Sequence, residues 1–299
     1  MKSIPFFNYP ALFEQRKDEY LDIIQDVLSR GAYIMQKDLF NFENDLAKYL
    51  GVKHAIGVAD GTMALLTSLI AAGIGEGDEV ILPSHTFVAS AAAVHHTGAK
   101  PVLADCQEDH MIDVNSIAEL ITSKTKAIMP VQLNGRVSDM DSINEIAIKH
   151  DLIIIEDSCQ ALGAKYKGKF AGTFGLIGTF SFFPAKTLGC FGDGGAVVTN
   201  SDEIAAKIRM IRDHGRDPSD GMVKVFGFNS RLDNLQAAVL GLKLKYYDED
   251  VERRRQIAKL YNLHLSDTEQ ILLPPAPDSE VDHFDVFQNY EIEAQDRDK

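Results

Sequence analysis

The sequence predicts an α/β fold, in which a mostly parallel central sheet with helices on both faces precedes a smaller, partial C-terminal α/β domain. Three observations carry this. Apolar strand-like runs alternate with amphipathic helical patterns at intervals of roughly 20 to 30 residues, the signature of βα units. The run 152–155 is apolar throughout and ends in Glu156 and Asp157, as in a strand buried on both faces. The chain has 299 residues, enough for one large core and a smaller lobe.

From the N-terminus, apolar spacing predicts helices over 12–30 and 38–50, a short strand at 54–58 and a helix over 62–72. A strand at 79–82, a helix over 88–97 and a strand at 101–104 follow. Next come a helix near 114–121, a strand at 127–131, a helix over 142–150 and the strand 152–155. Residues 179–183 form a β-rich run closed by Pro184, and a Gly-Asp-Gly-Gly turn at 192–195 leads into a second run, 196–199. A helix over 202–213 ends at His214 and Gly215. One long helix, 233–265, then leads into the second lobe, and its charged middle, 246–256, reads as a solvated face. Pro274, Pro275 and Pro277 mark a connection, after which 286–294 reads as a strand. The expected division is a large domain at 1–245 and the start of a small one at 246–299.

Composition narrows the function. With 45% apolar and 25% charged residues, this is the make-up of a globular protein. A formal net charge of -14 argues against nonspecific binding to nucleic acid or to an anionic membrane. It leaves room for a phosphorylated ligand held by backbone N–H groups at a helix start. No apolar run approaches the ~20 residues that cross a bilayer, and the N-terminus has no long apolar segment of the signal-peptide kind. Cys106, Cys159 and Cys190 follow no metal-like spacing and cannot all pair, so a reducing cytoplasm and no metal are expected.

The chemistry centres on Lys186, in the loop between the runs 179–183 and 196–199. Burial disfavours a charged amine, and a neutral amine attacks carbonyls, which makes Lys186 a Schiff-base candidate. Taken alone, a lysine in a loop is more often a surface lysine. Its expected partner is Asp157, delivered to the C-terminal end of a strand, the edge where ligands of open parallel sheets bind. Asp157 by itself reads equally as a helix cap. Asp60-Gly61-Thr62 opens a helix after a strand, so Gly61 and Thr62 could hold a phosphate with their N–H groups and hydroxyl; an ordinary N-cap is the plainer reading.

Asp157-x-x-Gln160 after an apolar strand, Ser181-Phe182 ahead of Lys186, and the Gly-acidic-Gly-Gly turn together resemble the DegT/DnrJ/EryC1/StrS sugar aminotransferases. The match runs in order over most of the chain. The resemblance implies pyridoxal 5'-phosphate (PLP) on the fold type I, aspartate aminotransferase-like architecture. It implies Lys186 and Asp157 as the catalytic pair, with Asp157 keeping the pyridine nitrogen protonated so that the ring withdraws electrons. By the same resemblance Phe87 stacks on the ring, Gln160 contacts its hydroxyl, and Gly61, Thr62 and Ser181 hold the phosphate. Asn229 would reach the phosphate of a neighbouring subunit, giving a homodimer with shared active sites; locally, Asn229 reads as a turn residue.

The implied reaction takes an amino group from L-glutamate to a nucleotide-linked keto-sugar, in amino-sugar or polysaccharide biosynthesis. Two other readings stand beside it: a noncatalytic PLP-binding regulator, and a dehydratase of the same fold, whose members carry His where Lys186 stands. The chain departs from the pattern at Gln132-Leu133-Asn134-Gly135, where many relatives have His-x-Tyr-Gly. It also has Phe183 for a common His, Asp193 for a common Glu and Asp60 for a frequent Ser. Family members continue for several tens of residues past the matched end, so the resemblance implies a C-terminally truncated chain.

Overall fold

The computed structural model describes residues 5–295 and 297. Ten α-helices among them are α1 (Tyr9–Glu14), α2 (Lys17–Ser29), α3 (Lys37–Leu50), α4 (Gly61–Ala71), α5 (Ala89–His96), α6 (Val114–Leu120), α7 (Met140–His150), α8 (Asp202–Ile211), α9 (Asn234–Leu244) and α10 (Tyr247–Leu265). The strands are β1 (His54–Val58), β2 (Glu79–Pro83), β3 (Lys100–Ala104), β4 (Thr125–Ile128), β5 (Ile153–Asp157), β6 (Lys165–Tyr166), β7 (Lys169–Phe170), β8 (Ile177–Ser181), β9 (Gly195–Thr199), β10 (Ile271–Leu272), β11 (His283–Phe284) and β12 (Glu293–Ala294).

Seven strands form the central sheet, in the order β1-β9-β8-β5-β4-β2-β3. β9 is antiparallel to both of its neighbours, and the other pairs are parallel. The continuous apolar runs read from the sequence have the expected physical cause: both faces of the sheet are covered. Val80 and Leu82 of β2 join one core cluster with residues of α4, α5 and α8, while Ile81 joins another with α3, α7 and α9. The parallel strands therefore all point their C-terminal ends to one edge. β9, running the other way, brings its first residue, Gly195, to that same edge opposite Ser181.

Buried polar groups tie the layers together. Glu156, fully buried at the end of β5, accepts hydrogen bonds from Gln132 Nε2 (3.0 Å) and from the backbone N–H groups of Gly172 (2.8 Å), Phe174 (2.6 Å) and Gly175 (2.9 Å). Burial nevertheless holds its carboxyl above the ordinary carboxylate range. Arg212, capping the C-terminal end of α8, pairs with buried Glu43 of α3, and both grip Gly57 of β1 through its carbonyl and its N–H.

The structure departs from the sequence expectations at several places. The helix expected over 12–30 is two, α1 and α2, because Arg16 leaves the helical region at φ -140°. The helix expected over 233–265 is also two. It breaks at Tyr246, so that Tyr246 turns to α2, with its hydroxyl on Glu19 at 2.9 Å, while Tyr247 is buried in the core. The charged middle of that helix is only partly solvated: Arg255 is 3% exposed and donates to the Asp285 carbonyl at 2.7 Å. The strand expected at 286–294 is reduced to β12. Val286, Phe287 and Gln288 are buried in succession, and Phe287 has φ +51°, which ends any extended run. Strands β4 and β8 lie two residues earlier than their expected starts at 127 and 179.

Candidate active site

A cleft of about 680 Å³ opens at the C-terminal edge of the sheet. It forms because β1, β2, β5 and β8 end there, each handing a loop to its floor or wall. From the loop after β1 come Asp60, Gly61 and Thr62; from the loop after β2 come Thr86 and Phe87; from the end of β5 come Asp157, Cys159 and Gln160; and from β8 and its loop come Ser181 and Lys186.

Gly61 and Ser181 meet at one end. A Cβ on Gly61 would lie 2.7 Å from Ser181 Cβ and 3.1 Å from Cys159 Sγ, so only glycine lets the start of α4 approach the end of β8 this closely. Asp60 Oδ1 accepts from Met63 N at 2.8 Å, which caps α4. The N–H groups of Gly61 and Thr62 are left for another partner, since a helix cannot satisfy its own first turn. With the Ser181 and Thr62 hydroxyls alongside, the arrangement has the donors that an anion such as a phosphate could use. The Gly-Asp-Gly-Gly turn closes it from below: a Cβ on Gly195 would sit 2.4 Å from the Asp60 carbonyl oxygen.

Asp157 lies on the cleft floor, 5% exposed. Its carboxylate accepts from Ser90 Oγ at 2.6 Å and from Cys159 N at 3.2 Å. Lys186, half-buried, lines the same cleft. The two meet electrostatically at Cys159, whose thiol is pushed up by burial and by the Asp157 charge and drawn down by that of Lys186. Gln160 is held by its Oε1, which accepts from Asn134 N at 2.9 Å, so the Gln-Leu-Asn-Gly segment braces it from outside the cleft. Phe87 is 67% exposed at the mouth, not packed in the core.

The structure thus brings together Lys186, Asp157, Gly61, Thr62, Phe87, Gln160 and Ser181. It leaves Asn229 apart, exposed on the loop before α9 and outside this cleft.

Several residues of the site carried no signal in the sequence. Ser90, fully buried beneath the cleft floor, sits in a run of small residues on α5, where nothing marks it as facing a carboxylate. Gln288 and Asn289 come from a segment far along the chain, folded over the loop of Lys186. Phe6 and Phe7 add aromatic wall from the N-terminal arm, and Phe183, singled out in the sequence as a departure, lines the same cleft. No group of three or more His, Cys, Asp or Glu side chains among the described residues is arranged to hold a metal.

Comparison with known proteins gives the same outline. A profile described as the DegT/DnrJ/EryC1/StrS aminotransferase family matches residues 14–299. A dTDP-3-amino-3,4,6-trideoxy-alpha-D-glucose transaminase from Streptomyces venezuelae is 44% identical over 280 residues, 93% of this chain and 73% of that protein. A protein named pleiotropic regulatory protein, from Geobacillus stearothermophilus, is 41% identical over 300 residues, 99% of this chain and 80% of its own. Among solved structures, S. venezuelae DesV in complex with a ketimine intermediate superposes with a TM-score of 0.95 at 41% identity, covering 100% of this chain and 80% of that one. A Bacillus subtilis protein with bound cofactor PMP gives a TM-score of 0.90 at 34% identity, covering 100% of this chain and 68% of that one.

Proposed function

The chain belongs to the DegT/DnrJ/EryC1/StrS aminotransferase family, and from that premise we propose that it is a PLP-dependent aminotransferase moving an amino group from L-glutamate to a nucleotide-linked keto-sugar. The observation that carries the reading is the single cleft that holds Lys186, Asp157 and the phosphate cradle of Gly61, Thr62 and Ser181 together.

The residues fit the cofactor. The cradle matches a phosphate, the Asp157 carboxylate a protonated pyridine nitrogen, the Phe87 ring an aromatic face, Gln160 a ring hydroxyl, and Lys186 an aldehyde carbon. When bound, PLP supplies that aldehyde and a ring that withdraws electrons from the carbon losing its proton. Asp157 holds the proton on the ring nitrogen. With the cofactor in place, Lys186 Nζ would take the proton from the donor's α-carbon as a general base and return it as a general acid. The loop at 132–135 steadies Gln160 through the Asn134 N–H.

The protein works as a homodimer in this reading. An exposed apolar loop supports it: Met222, Val223 and Phe226 are 61%, 62% and 101% exposed, and the loop leads directly to Asn229. Asn229 then completes the phosphate site of a second copy. Residues 1–245 form the PLP-binding domain and 246–299 belong to a smaller one. The reaction belongs to amino-sugar or polysaccharide biosynthesis in the cytoplasm, where three free cysteines are at home. Among the described residues no helix is long and apolar enough to cross a membrane.

The test is to load the purified protein with PLP, add L-glutamate and measure 2-oxoglutarate, then offer a panel of keto-sugar nucleotides and look for the amino sugar. No 2-oxoglutarate from the loaded protein would reject the reading. A noncatalytic regulator is the second reading, favoured by the 41% identical relative named for regulation; it expects PLP binding with no turnover. Lys186 stands against the dehydratase reading.

A further inference from the structure

We infer that Ser90 is a positioning residue of this site, the group that sets the orientation of the Asp157 carboxylate, and that Thr86 completes a hydroxyl relay behind it. The inference rests on the reading of the cleft as a PLP site and deepens it.

Ser90 is 0% exposed on α5, on a different element from Asp157 and 67 residues away in sequence. Its Oγ lies 2.6 Å from Asp157 Oδ2 and 2.7 Å from Thr86 Oγ1. The Phe87 carbonyl, at 3.2 Å, is the weaker acceptor for the same proton. A serine hydroxyl has one proton to give, and the shorter bond to a charged acceptor takes it. Thr86 then donates to Ser90 Oγ, so the relay runs Thr86 to Ser90 to Asp157.

The other oxygen of the carboxylate, Oδ1, accepts a longer bond, 3.2 Å, from the backbone of Cys159, whose thiol also hydrogen-bonds the carboxylate. Ser90, with the shorter bond and the stronger donor, is the side chain that sets the plane of Asp157. A carboxylate free to rotate would present its oxygens to the ring nitrogen in several geometries; one held by Ser90 presents a single one. The relay also joins two contacts of the cofactor. Phe87, at the mouth, and Ser90, under the floor, are three residues apart on the same turn, so a ring resting on Phe87 bears on the segment that orients Asp157.

The test uses full-length Ser90→Ala and Thr86→Val with wild type. Three readouts are taken: the Kd for PLP, the pH titration of the bound cofactor's visible absorption, and thermal melting without cofactor. Ser90→Ala is expected to raise the Kd by about 10-fold, the scale of one hydrogen bond to a charged group. It should also displace the pH titration and lower kcat more than KM for L-glutamate. Thr86→Val is expected to shift the titration in the same direction by less, and Ser90→Thr, which keeps the hydroxyl, to restore it. Ser90→Ala with wild-type Kd and an unmoved titration would overturn the inference, as would a lowered melting temperature with no change in the cofactor's titration. If Ser90→Ala does not fold, an unmoved titration in Thr86→Val overturns the relay. Failure of the wild type to bind PLP would instead reject the functional reading itself.

Discussion

Gln288 holds the backbone on both sides of Lys186. Its Oε1 accepts from Thr187 N at 2.7 Å and its Nε2 donates to the Ala185 carbonyl at 2.8 Å. Tyr247 adds a third hold, its hydroxyl lying 2.7 Å from Thr187 Oγ1. A lysine in a loop would ordinarily sample many positions, and these bonds select one. Gln288→Ala removes two hydrogen bonds, ~2 kcal/mol in sum, and frees the loop. Activity is expected to fall about 10-fold or more, the scale of ~1.4 kcal/mol on the barrier, with melting lowered by several degrees. Kinetics beside thermal melts check this; a wild-type kcat in a destabilised Gln288→Ala would disprove the link to Lys186.

Lys186→Ala is expected to cost about 10² to 10⁴ in turnover, the range for removing a positioned acid-base group, and to abolish the covalent link to cofactor seen by mass after borohydride reduction. Asp157→Asn keeps the shape and loses the charge, so it is expected to fold and bind PLP while turnover falls by about 100-fold or more, at least ~2.7 kcal/mol. Production of 2-oxoglutarate from L-glutamate reads both.

Asn229→Ala tests sharing of the site. Mixed with Lys186→Ala under conditions that exchange subunits, two inactive proteins are expected to regain about a quarter of wild-type activity, since half of the random C₂ dimers carry one intact site of two. Two inactive proteins that regain nothing would show that Asn229 does not act across the subunit boundary, and an Asn229→Ala protein active by itself would place Asn229 outside catalysis.

Gly195→Ala puts a Cβ 2.4 Å from the Asp60 carbonyl oxygen and 2.9 Å from Gly61 N, backbone atoms that cannot step aside cheaply. Overpacking of this kind costs ~1–3 kcal/mol and distorts the phosphate cradle. Fluorescence titration should show weakened binding of PLP, with pyridoxal, which lacks the phosphate, affected less.

His283 gives the pH dependence. Burial first, and then the Arg136 guanidinium, hold its imidazole below the ordinary 6.5, while Asp285, Glu280 and Asp109 pull the other way more weakly. The folded protein therefore takes up this proton less readily than the unfolded chain. Its contribution to stability is present above 6.5 and is lost as pH falls toward the lowered folded value. The melting temperature is expected to drop as pH falls below about 6.5, and His283→Gln to flatten that slope. An equal slope in the variant would exclude His283 as the source.

Much of this was legible in the sequence because its signals are local. A strand buried on both faces must be apolar along its length, so 54–58 and 152–155 announced themselves, and the loops that follow parallel strands must gather at one edge. That topological rule brings Gly61 and Asp157, each following a parallel strand, to a common rim. The breaks were less legible. Tyr246 and Tyr247 are adjacent and similar, and only the presence of α2 on one side and the core on the other splits the helix between them.

By itself, the sequence determined the βα alternation, the carboxylate at the end of its strand, the lysine loop and the family they resemble, because each depends on the order of residues along the chain. The tertiary structure alone decided that Ser90 orients Asp157, that Gln288 clamps the lysine loop, and that Gly61 and Gly195 are glycines for want of room. Those are contacts between residues from 67 to 135 positions apart. A hydrogen bond or a steric limit is set by distance in space, which no local pattern records.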